Sequence, residues 1–231
     1  MKSEKSILPA IRMVGYLDFS LFTLHFSLLF RTFAKRMEFM RIGIYGGSFN
    51  PIHKGHTQLA ASIVEQDLVD ELWLLVSPLN PLKSVEVSDI AEYEHRLKMA
   101  ELATEGIQGV KVSDFERHLP LPSYTVKTLA ALREAYPEHE FVLVIGADNW
   151  ERFPRWYRAD EIIEKYRILV YRRPGCEMDE TVLPPSVQVV ETPLYDVSST
   201  EIRASVKKGR MMRRWLDSRV ARYIKEKGLY L

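Results

Sequence analysis

Short apolar runs alternate with segments of helical spacing from Met40 to the end of the chain. The runs predict strands, and between them apolar residues recur at the three- and four-residue spacing of amphipathic helices. Strands that are apolar throughout and separated by helices indicate a parallel sheet covered on both faces. We therefore expect an α/β fold, a doubly wound parallel sheet with a small C-terminal helical part. The predicted strands are Arg41–Tyr45, Glu71–Val76, Val110–Phe115, Phe141–Ile145, Arg167–Tyr171 and Val187–Val190, and the predicted helices are His56–Gln66, Tyr93–Ala103, Tyr124–Ala135, one from Ser199 and one over Ser218–Lys227.

Length, charge and cysteine content narrow the class of protein to a globular protein of one or two domains. The 231 residues suffice for one large domain or two small ones. The formal net charge of +1 argues against a protein that mainly coats nucleic acid. The single cysteine, Cys176, forms no internal disulfide, which favours a reducing, cytoplasmic compartment.

The first 39 residues differ from the rest. An apolar stretch between Met13 and Phe30 is near the minimum length for a membrane span, but it contains Asp18 and His25. No small-residue cleavage site of a signal peptide follows it. Segment 1–39 holds six Lys or Arg and three Asp or Glu residues, so its removal lowers the net charge from +1 to −2. We expect 1–39 to lie outside the catalytic fold and 40–231 to form the domain. An amphipathic helix and a membrane or export role are the alternatives.

The segment after the first predicted strand carries the strongest chemical signal. Gly46 and Gly47 follow the strand directly, and His53 and His56 stand three apart with Gly55 between them. Glycines let a ligand approach the backbone, and a helix N-terminus favours phosphate. Two imidazoles there can donate hydrogen bonds to phosphate oxygens as charge builds. A helix cap or a solvated histidine is the structural alternative, and zinc is disfavoured because no third ligand lies at a usual spacing.

An ordered set of segments resembles a known family. GGSFNPIHKGH is similar to the signature of the His-x-Gly-His nucleotidyltransferases, and the remaining segments resemble the bacterial nicotinate mononucleotide adenylyltransferases. Those segments are PLNPLK from Pro78, LPSYT from Leu121, IGAD from Ile145, FPRWY from Phe153, YRRPG from Tyr171 and VSSTEIR from Val197. The resemblance runs from about Arg41 to Leu231. One departure is Asn50, where the family often has Asp, and we assign Asn50 no catalytic role.

The resemblance implies a Rossmann-like fold, an activity and a set of site residues. The implied reaction is adenylyl transfer from ATP to nicotinate mononucleotide. The implied catalytic residues are His53, His56 and Arg203. The implied ATP-binding residues are Gly46, Gly47, Ser48, Phe49, His53, His56, Lys83, Ser198, Ser199, Thr200 and Arg203, and the implied mononucleotide-binding residues are Ser123, Tyr124, Thr125, Gly146, Asp148, Trp156 and Arg173.

Several of these residues also have a plain structural interpretation. Ser198 and Glu201 fit a capping box, with Ser199, Thr200 and Arg203 then offering a phosphate site at the same helix start. Lys83 and Arg173 fit either surface cations or phosphate ligands. Asp148 fits a helix N-cap as well as a sugar-hydroxyl acceptor. A Trp such as Trp156 is usually packed in a core, whereas the resemblance implies that it stacks on the pyridine ring.

Charge determines the expected mechanism and partners. An already ionised phosphate attacks the α-phosphorus of ATP, so positioning and electrostatics suffice, and Mg²⁺ is expected as the cofactor that enters with ATP. We expect no metal ligands from the protein and no nucleic-acid partner. Membrane association is disfavoured, and homo-oligomerisation stays open. Transfer to another phosphorylated acceptor, or a non-catalytic nucleotide-sensing module, is the alternative function.

Overall fold

The computed structural model describes residues 39–78, 90–176 and 178–231. Within the chain, Phe39–Leu231 forms one compact unit. The predicted apolar stretch between Met13 and Phe30, and the predicted ATP ligand Lys83, lie outside the described residues. In the part of the chain that the structure covers, no helix is long and apolar enough to cross a membrane.

Six parallel strands form a single sheet, as the alternating pattern predicts. Every strand pair is parallel, and the strand order is β3-β2-β1-β4-β5-β6. Because β1 pairs with both β2 and β4, the order reverses between β1 and β4. The loops after these two strands therefore diverge to opposite faces and leave a crevice between them. The strands are β1 (Arg41–Gly47), β2 (Glu71–Val76), β3 (Val110–Ser113), β4 (Glu140–Gly146), β5 (Arg167–Tyr171) and β6 (Val187–Val190).

Helices cover both faces of the sheet and divide the core in two. On one face, α1, α2, α6 and α7 bury residues such as Ile63, Met99, Ile202 and Ile224. On the other face, α3 and α5 bury residues such as Leu129 and Ile162. The helices are α1 (Lys54–Glu65), α2 (Tyr93–Thr104), α3 (Thr125–Ala135), α4 (Ala147–Trp150), α5 (Ala159–Lys165), α6 (Ser199–Lys207) and α7 (Ser218–Lys227).

Most predicted boundaries agree with the structure, and the differences have local causes. The strand predicted over Val110–Phe115 ends at Ser113 because Phe115–His118 forms a 3₁₀ turn. Helix α1 starts at Lys54 rather than His56, since His53 is the extended residue that precedes the first turn. The pattern did not predict α5, a short helix in which Glu161 pairs with Lys165 and with the N-cap residue Arg158.

Candidate active site

Two histidines stand at the start of α1, beside the crevice between β1 and β4. The ring centroids of His53 and His56 lie 3.7 Å apart, with the planes tilted by 32°. The backbone N–H of His53 donates to Nδ1 of His56 at 3.2 Å. A neutral His56 that accepts at Nδ1 carries its proton on Nε2. The packing therefore prepares His56 as a hydrogen-bond donor.

The electrostatic state of His53 is set by burial. His53 is only 5% exposed. Burial, and to a smaller extent the positive charge of Arg173, lowers the pKa of His53 to about 3. The imidazole is consequently neutral in this structure at physiological pH, and a nearby anion would favour its protonation.

Tyrosines and an ion pair lie beside the histidines. The hydroxyl groups of Tyr45 and Tyr171 lie 3.1 Å apart in the core. The Arg173 guanidinium lies 5.6 Å from the ring centroid of Tyr171, and its Nε lies 3.3 Å from Oδ1 of Asp148. Asp148 lies inside α4 and is not the N-cap, which is Gly146. The N-cap interpretation of Asp148 therefore does not apply.

One cleft joins the histidines to Arg173. A wall of this cleft is the segment that follows β6. The lining residues are Tyr45, His53, Gly55, His56, Leu59, Tyr171, Arg172, Arg173, Pro174, Thr192, Pro193, Leu194, Tyr195 and Val197. The cleft thus contains three of the predicted site residues that carry positive or protonatable groups.

The glycines at the end of β1 and the start of α1 are accommodated for different geometric reasons. A Cβ at Gly46 would meet no atom within 4 Å, so the backbone there borders open space. A Cβ at Gly47 would lie 2.9 Å from the ring of Phe49, whose φ of 44° folds its side chain back over the loop. A Cβ at Gly55 would lie 3.0 Å from Nδ1 of His53 and 3.3 Å from Cβ of Tyr195. The His-x-Gly-His spacing is therefore a packing requirement of the buried imidazole.

The N-terminus of α6 contacts the loop that leads to His53. The Ser199 hydroxyl donates to the carbonyl of Pro51 at 2.9 Å, and Nη1 of Arg203 donates to the carbonyl of Asn50 at 2.9 Å. Ser198 and Glu201 form the predicted capping box, and Thr200 is exposed with its hydroxyl 3.5 Å from Nη2 of Arg203. Ser199 and Arg203 therefore hold the loop in this structure, and they do not line the cleft that the histidines share with Arg173.

Of the residues predicted for the mononucleotide, Tyr124, Thr125 and Trp156 lie with the helices on the opposite face of the sheet, whereas Arg173 lines the cleft of the histidines. Tyr124 precedes α3 and its ring lies 4.7 Å from that of Tyr157, while Thr125 is the first residue of α3. Trp156 packs against Phe153 with ring centroids 5.1 Å apart. The packing interpretation of Trp156 thus holds for one side of its ring.

Several predicted site residues carry buried polar atoms that stay unpaired. Among the described residues, the buried side-chain atoms that make no hydrogen bond include Ser123 Oγ, Trp156 Nε1 and Arg203 Nε. Oδ1 of Asp148 and Nε of Arg173 face each other as an ion pair. Buried polar atoms without hydrogen bonds are rare in folded proteins and call for an explanation. These unpaired atoms lie on both faces of the sheet. They fit groups that donate hydrogen bonds to a polar ligand or accept hydrogen bonds from it.

Arg96 is a functional candidate that the sequence did not reveal. It is 2% exposed, and Nη1 donates to the carbonyls of Ser48 at 2.8 Å and Ser77 at 2.7 Å. Its remaining bonds go to the carbonyls of Ala91 and Pro78. The guanidinium therefore ties together the loops after β1 and β2. Its position three residues before the buried Met99 and four before the buried Ala100 is the signal that could have found it.

The comparisons with known proteins define the family. The cytidylyltransferase-like family profile matches residues 44–205. The chain belongs to this class of nucleotidyltransferases. A protein of Bacteroides thetaiotaomicron, named probable nicotinate-nucleotide adenylyltransferase, is 46% identical over 187 residues, or 81% of this chain and 92% of that protein. A Geobacillus kaustophilus protein of the same name is 38% identical over 82% of this chain and 86% of its own length. Within its class, the chain therefore belongs to the nicotinate-nucleotide adenylyltransferase family.

Solved structures agree on the fold. The nicotinic acid mononucleotide adenylyltransferase of Plasmodium falciparum, complexed with NaAD, superposes with a TM-score of 0.71 at 22% identity, covering 82% of this chain and 97% of that one. The same enzyme complexed with APC gives a TM-score of 0.71 at 21% identity, covering 83% and 97%. At this identity the likeness concerns the fold, and it agrees with the Rossmann-like sheet predicted from the sequence.

Replacing Gly55 with alanine tests the packing of His53. The added Cβ would push the imidazole away, so we expect Gly55→Ala to lower kcat for adenylyl transfer by about 10–100-fold. Alanine favours a helix over glycine by about 1 kcal/mol, so the free energy of unfolding should not fall substantially. Gln58→Ala, on the exposed side of the same helix, is the control and should keep the wild-type kcat. A Gly55→Ala enzyme with normal kcat would contradict this account.

The neutral state of His53 predicts a pH-dependent stability. An unfolded histidine takes up a proton near pH 6.5, whereas the buried one stays neutral down to about pH 3. The unfolded state binds more protons between these values, so stability falls as the pH falls through 6.5. Between pH 7.5 and 5.5 this group should cost about 1.4 kcal/mol of unfolding free energy, measured by urea titration. His53→Asn should lack this loss, and His118→Asn, at an exposed histidine, should keep it. Equal pH dependence in all three proteins would refute the assignment.

Proposed function

We propose that this chain transfers the adenylyl group of ATP to nicotinate mononucleotide and releases deamido-NAD and pyrophosphate, a step of NAD biosynthesis. The observation that carries the proposal is the close contact of the His53 and His56 rings at the crevice between β1 and β4, in a chain of the nicotinate-nucleotide adenylyltransferase family. In open α/β sheets, ligands bind in such a crevice, beyond the carboxyl ends of the strands.

The loop after β1 would receive ATP. Gly46, Gly47, Ser48 and Phe49 would pass close to the nucleotide, since the backbone at Gly46 borders open space. His53, His56 and Arg203 would contact the phosphates. Lys83, Ser198, Ser199 and Thr200 remain proposed ATP ligands. For Ser199 this requires its hydroxyl to exchange the Pro51 carbonyl for a phosphate oxygen.

Charge control would supply most of the catalysis. An oxygen of the mononucleotide 5′-phosphate attacks the α-phosphorus, a new P–O bond forms, and the bond from the α-phosphorus to the pyrophosphate oxygen breaks. The nucleophile is already ionised, so no general base is needed. His56 donates from Nε2, and His53 gains a donor when the triphosphate favours its protonation. Both groups would stabilise charge that develops during transfer.

The opposite face of the sheet would bind the pyridine ring of the acceptor. Trp156 would stack on the pyridine ring, and Ser123, Tyr124 and Thr125 at the start of α3 would bind its carboxylate. Gly146, Asp148 and Arg173 at the ends of β4 and β5 would bind the sugar and phosphate. The unpaired atoms of Ser123 and Trp156 support this placement.

The remaining assignments concern the metal, the partners and the domain. Mg²⁺ would enter with ATP as part of the substrate, held by phosphate oxygens and water. Among the described residues, no three His, Cys, Asp or Glu side chains form a group that could hold a metal ion. We further propose a cytoplasmic enzyme without a nucleic-acid partner, with residues 40–231 as the catalytic domain and 1–39 outside it. Assembly into a homo-oligomer is compatible with this function.

A pyrophosphate-release assay tests the reaction and the domain assignment together. The protein is given ATP and Mg²⁺ with nicotinate mononucleotide, nicotinamide mononucleotide or phosphopantetheine in turn, in forms that begin at Met1 and at Met40. We expect the highest rate with nicotinate mononucleotide and equal rates for the two forms. Release with phosphopantetheine alone would indicate another acceptor. Binding of both substrates without dinucleotide would indicate a sensing module.

Two variants should separate the two halves of the site. His56→Ala should lower kcat by about 10²–10³, the usual loss for one donor to developing charge. Trp156→Ala should raise the KM for nicotinate mononucleotide and leave the KM for ATP unchanged, because its contact is with the pyridine ring. Steady-state kinetics with each substrate varied measures both effects. Normal turnover in His56→Ala, or an unchanged mononucleotide KM in Trp156→Ala, would place the respective contact elsewhere.

A further inference from the structure

Asn50, three residues before His53, is a buried junction between separate parts of the chain. It is 4% exposed. Its side-chain Oδ1 accepts from the backbone N–H of Ala91 at 3.0 Å and from the hydroxyl of Tyr230 at 2.7 Å. Its backbone carbonyl accepts from Arg203 at 2.9 Å. The loop before His53 is thus fixed from three directions by side-chain and backbone hydrogen bonds.

Tyr230, the penultimate residue of the chain, is directed to this junction by the end of α7. Gly228 caps α7 with φ of 62°, and Tyr230 itself has φ of 63°. These two left-handed residues turn the chain so that the Tyr230 ring packs against the core beside α7. Burial raises the pKa of the hydroxyl, so it remains a protonated donor at physiological pH.

We propose that Tyr230 is a positioning residue for adenylyl transfer: its hydroxyl holds Asn50 and thereby the segment that presents His53 to the triphosphate. The inference rests on the proposed function. The hydroxyl makes a single hydrogen bond to the loop. That bond matters because the loop lies outside the regular hydrogen bonding of the sheet. Loss of this bond would let the loop sample other positions, and small displacements of a phosphate-binding group are costly in rate.

The chain supplies a matched control at Tyr223, in the helix that precedes Tyr230. The Tyr223 hydroxyl lies 2.9 Å from Nδ1 of His95, so it makes one hydrogen bond to a different element, α2. Both tyrosines are half-buried and pack against the same core. Removing either hydroxyl deletes one hydrogen bond of α7 or its C-terminal extension, but only the Tyr230 bond reaches the loop before His53.

The test compares Tyr230→Phe with Tyr223→Phe in the full-length enzyme. Wild type must first form deamido-NAD, and its failure to do so would refute the proposed function rather than this inference. In folded protein well below the melting temperature, Tyr230→Phe should lower kcat/KM for ATP about tenfold, which corresponds to a hydrogen bond of about 1.4 kcal/mol. The KM for nicotinate mononucleotide should not change. Tyr223→Phe should keep wild-type values for both substrates.

A double-mutant cycle with Asn50→Ala tests whether the hydroxyl acts through Asn50. If it does, adding Tyr230→Phe to Asn50→Ala should lower the rate little further. Equal losses of thermal stability in the two tyrosine variants, with wild-type kinetics in both, would mean that Tyr230 is merely structural and would overturn the proposal. So would equal effects of Tyr230→Phe on both substrates. Should Asn50→Ala fail to fold, the kinetics of Tyr230→Phe decide alone.

Discussion

The site depends on one irregular loop, between β1 and α1, that must be held in place at the carboxyl ends of the central strands. Strand β1 ends at Gly47 and α1 begins at Lys54. The carbonyls of Ser48, Asn50 and Pro51 therefore lie outside the sheet ladder and the helix, and buried carbonyls need partners. Side chains from distant parts of the chain provide those partners. Arg96 binds the carbonyl of Ser48, Arg203 that of Asn50 and Ser199 that of Pro51. The order of the loop is therefore a property of the whole α1–α2–α6–α7 face rather than of its own sequence.

The same arrangement sets the electrostatics of the site. The loop is supported by guanidinium groups that donate to neutral carbonyls: Arg96 donates to the carbonyls of Ser48, Ser77, Pro78 and Ala91. A neutral carbonyl does not cancel the charge of a guanidinium, and Arg173, which is paired with Asp148, places a further positive group beside His53. A positive field of this kind attracts a polyphosphate and opposes protonation of a histidine until the anion arrives. Arg96 and Arg203 thus support the loop and also contribute positive charge that favours an anionic ligand.

Much of the fold was predictable from the sequence, and the reasons are local. Continuous apolar strands such as Glu71–Val76 and Arg167–Tyr171 were predicted with the observed bounds, because burial on both faces leaves a clear pattern. The capping box at Ser198 was predicted from two residues, and the structure confirms it. The roles of Arg96 and Tyr230 were not predictable. Their partners lie far away in sequence, at Ser48 and Asn50, and no local pattern encodes such contacts. The use of Ser199 and Arg203 as loop supports was hidden for the same reason.

The chain has two cores, one on each face of the sheet. This division explains why the motif after β1 indicates the class of nucleotidyltransferases, whereas other segments indicate which acceptor is used. Tyr45 and Phe49, which contact the His56 ring, belong to the core beneath α1. Trp156 and Tyr124 pack against the other core, with α3 and α5. The sheet separates these layers, so substitutions around Trp156 can reshape the acceptor side without disturbing the packing of the histidines. A fold with this division can keep one phosphate-transfer site while the acceptor changes. Under the proposed function, the α3 and α5 layer would recognise the pyridine ring of the acceptor, and the loop that precedes α1 would carry the chemistry of transfer.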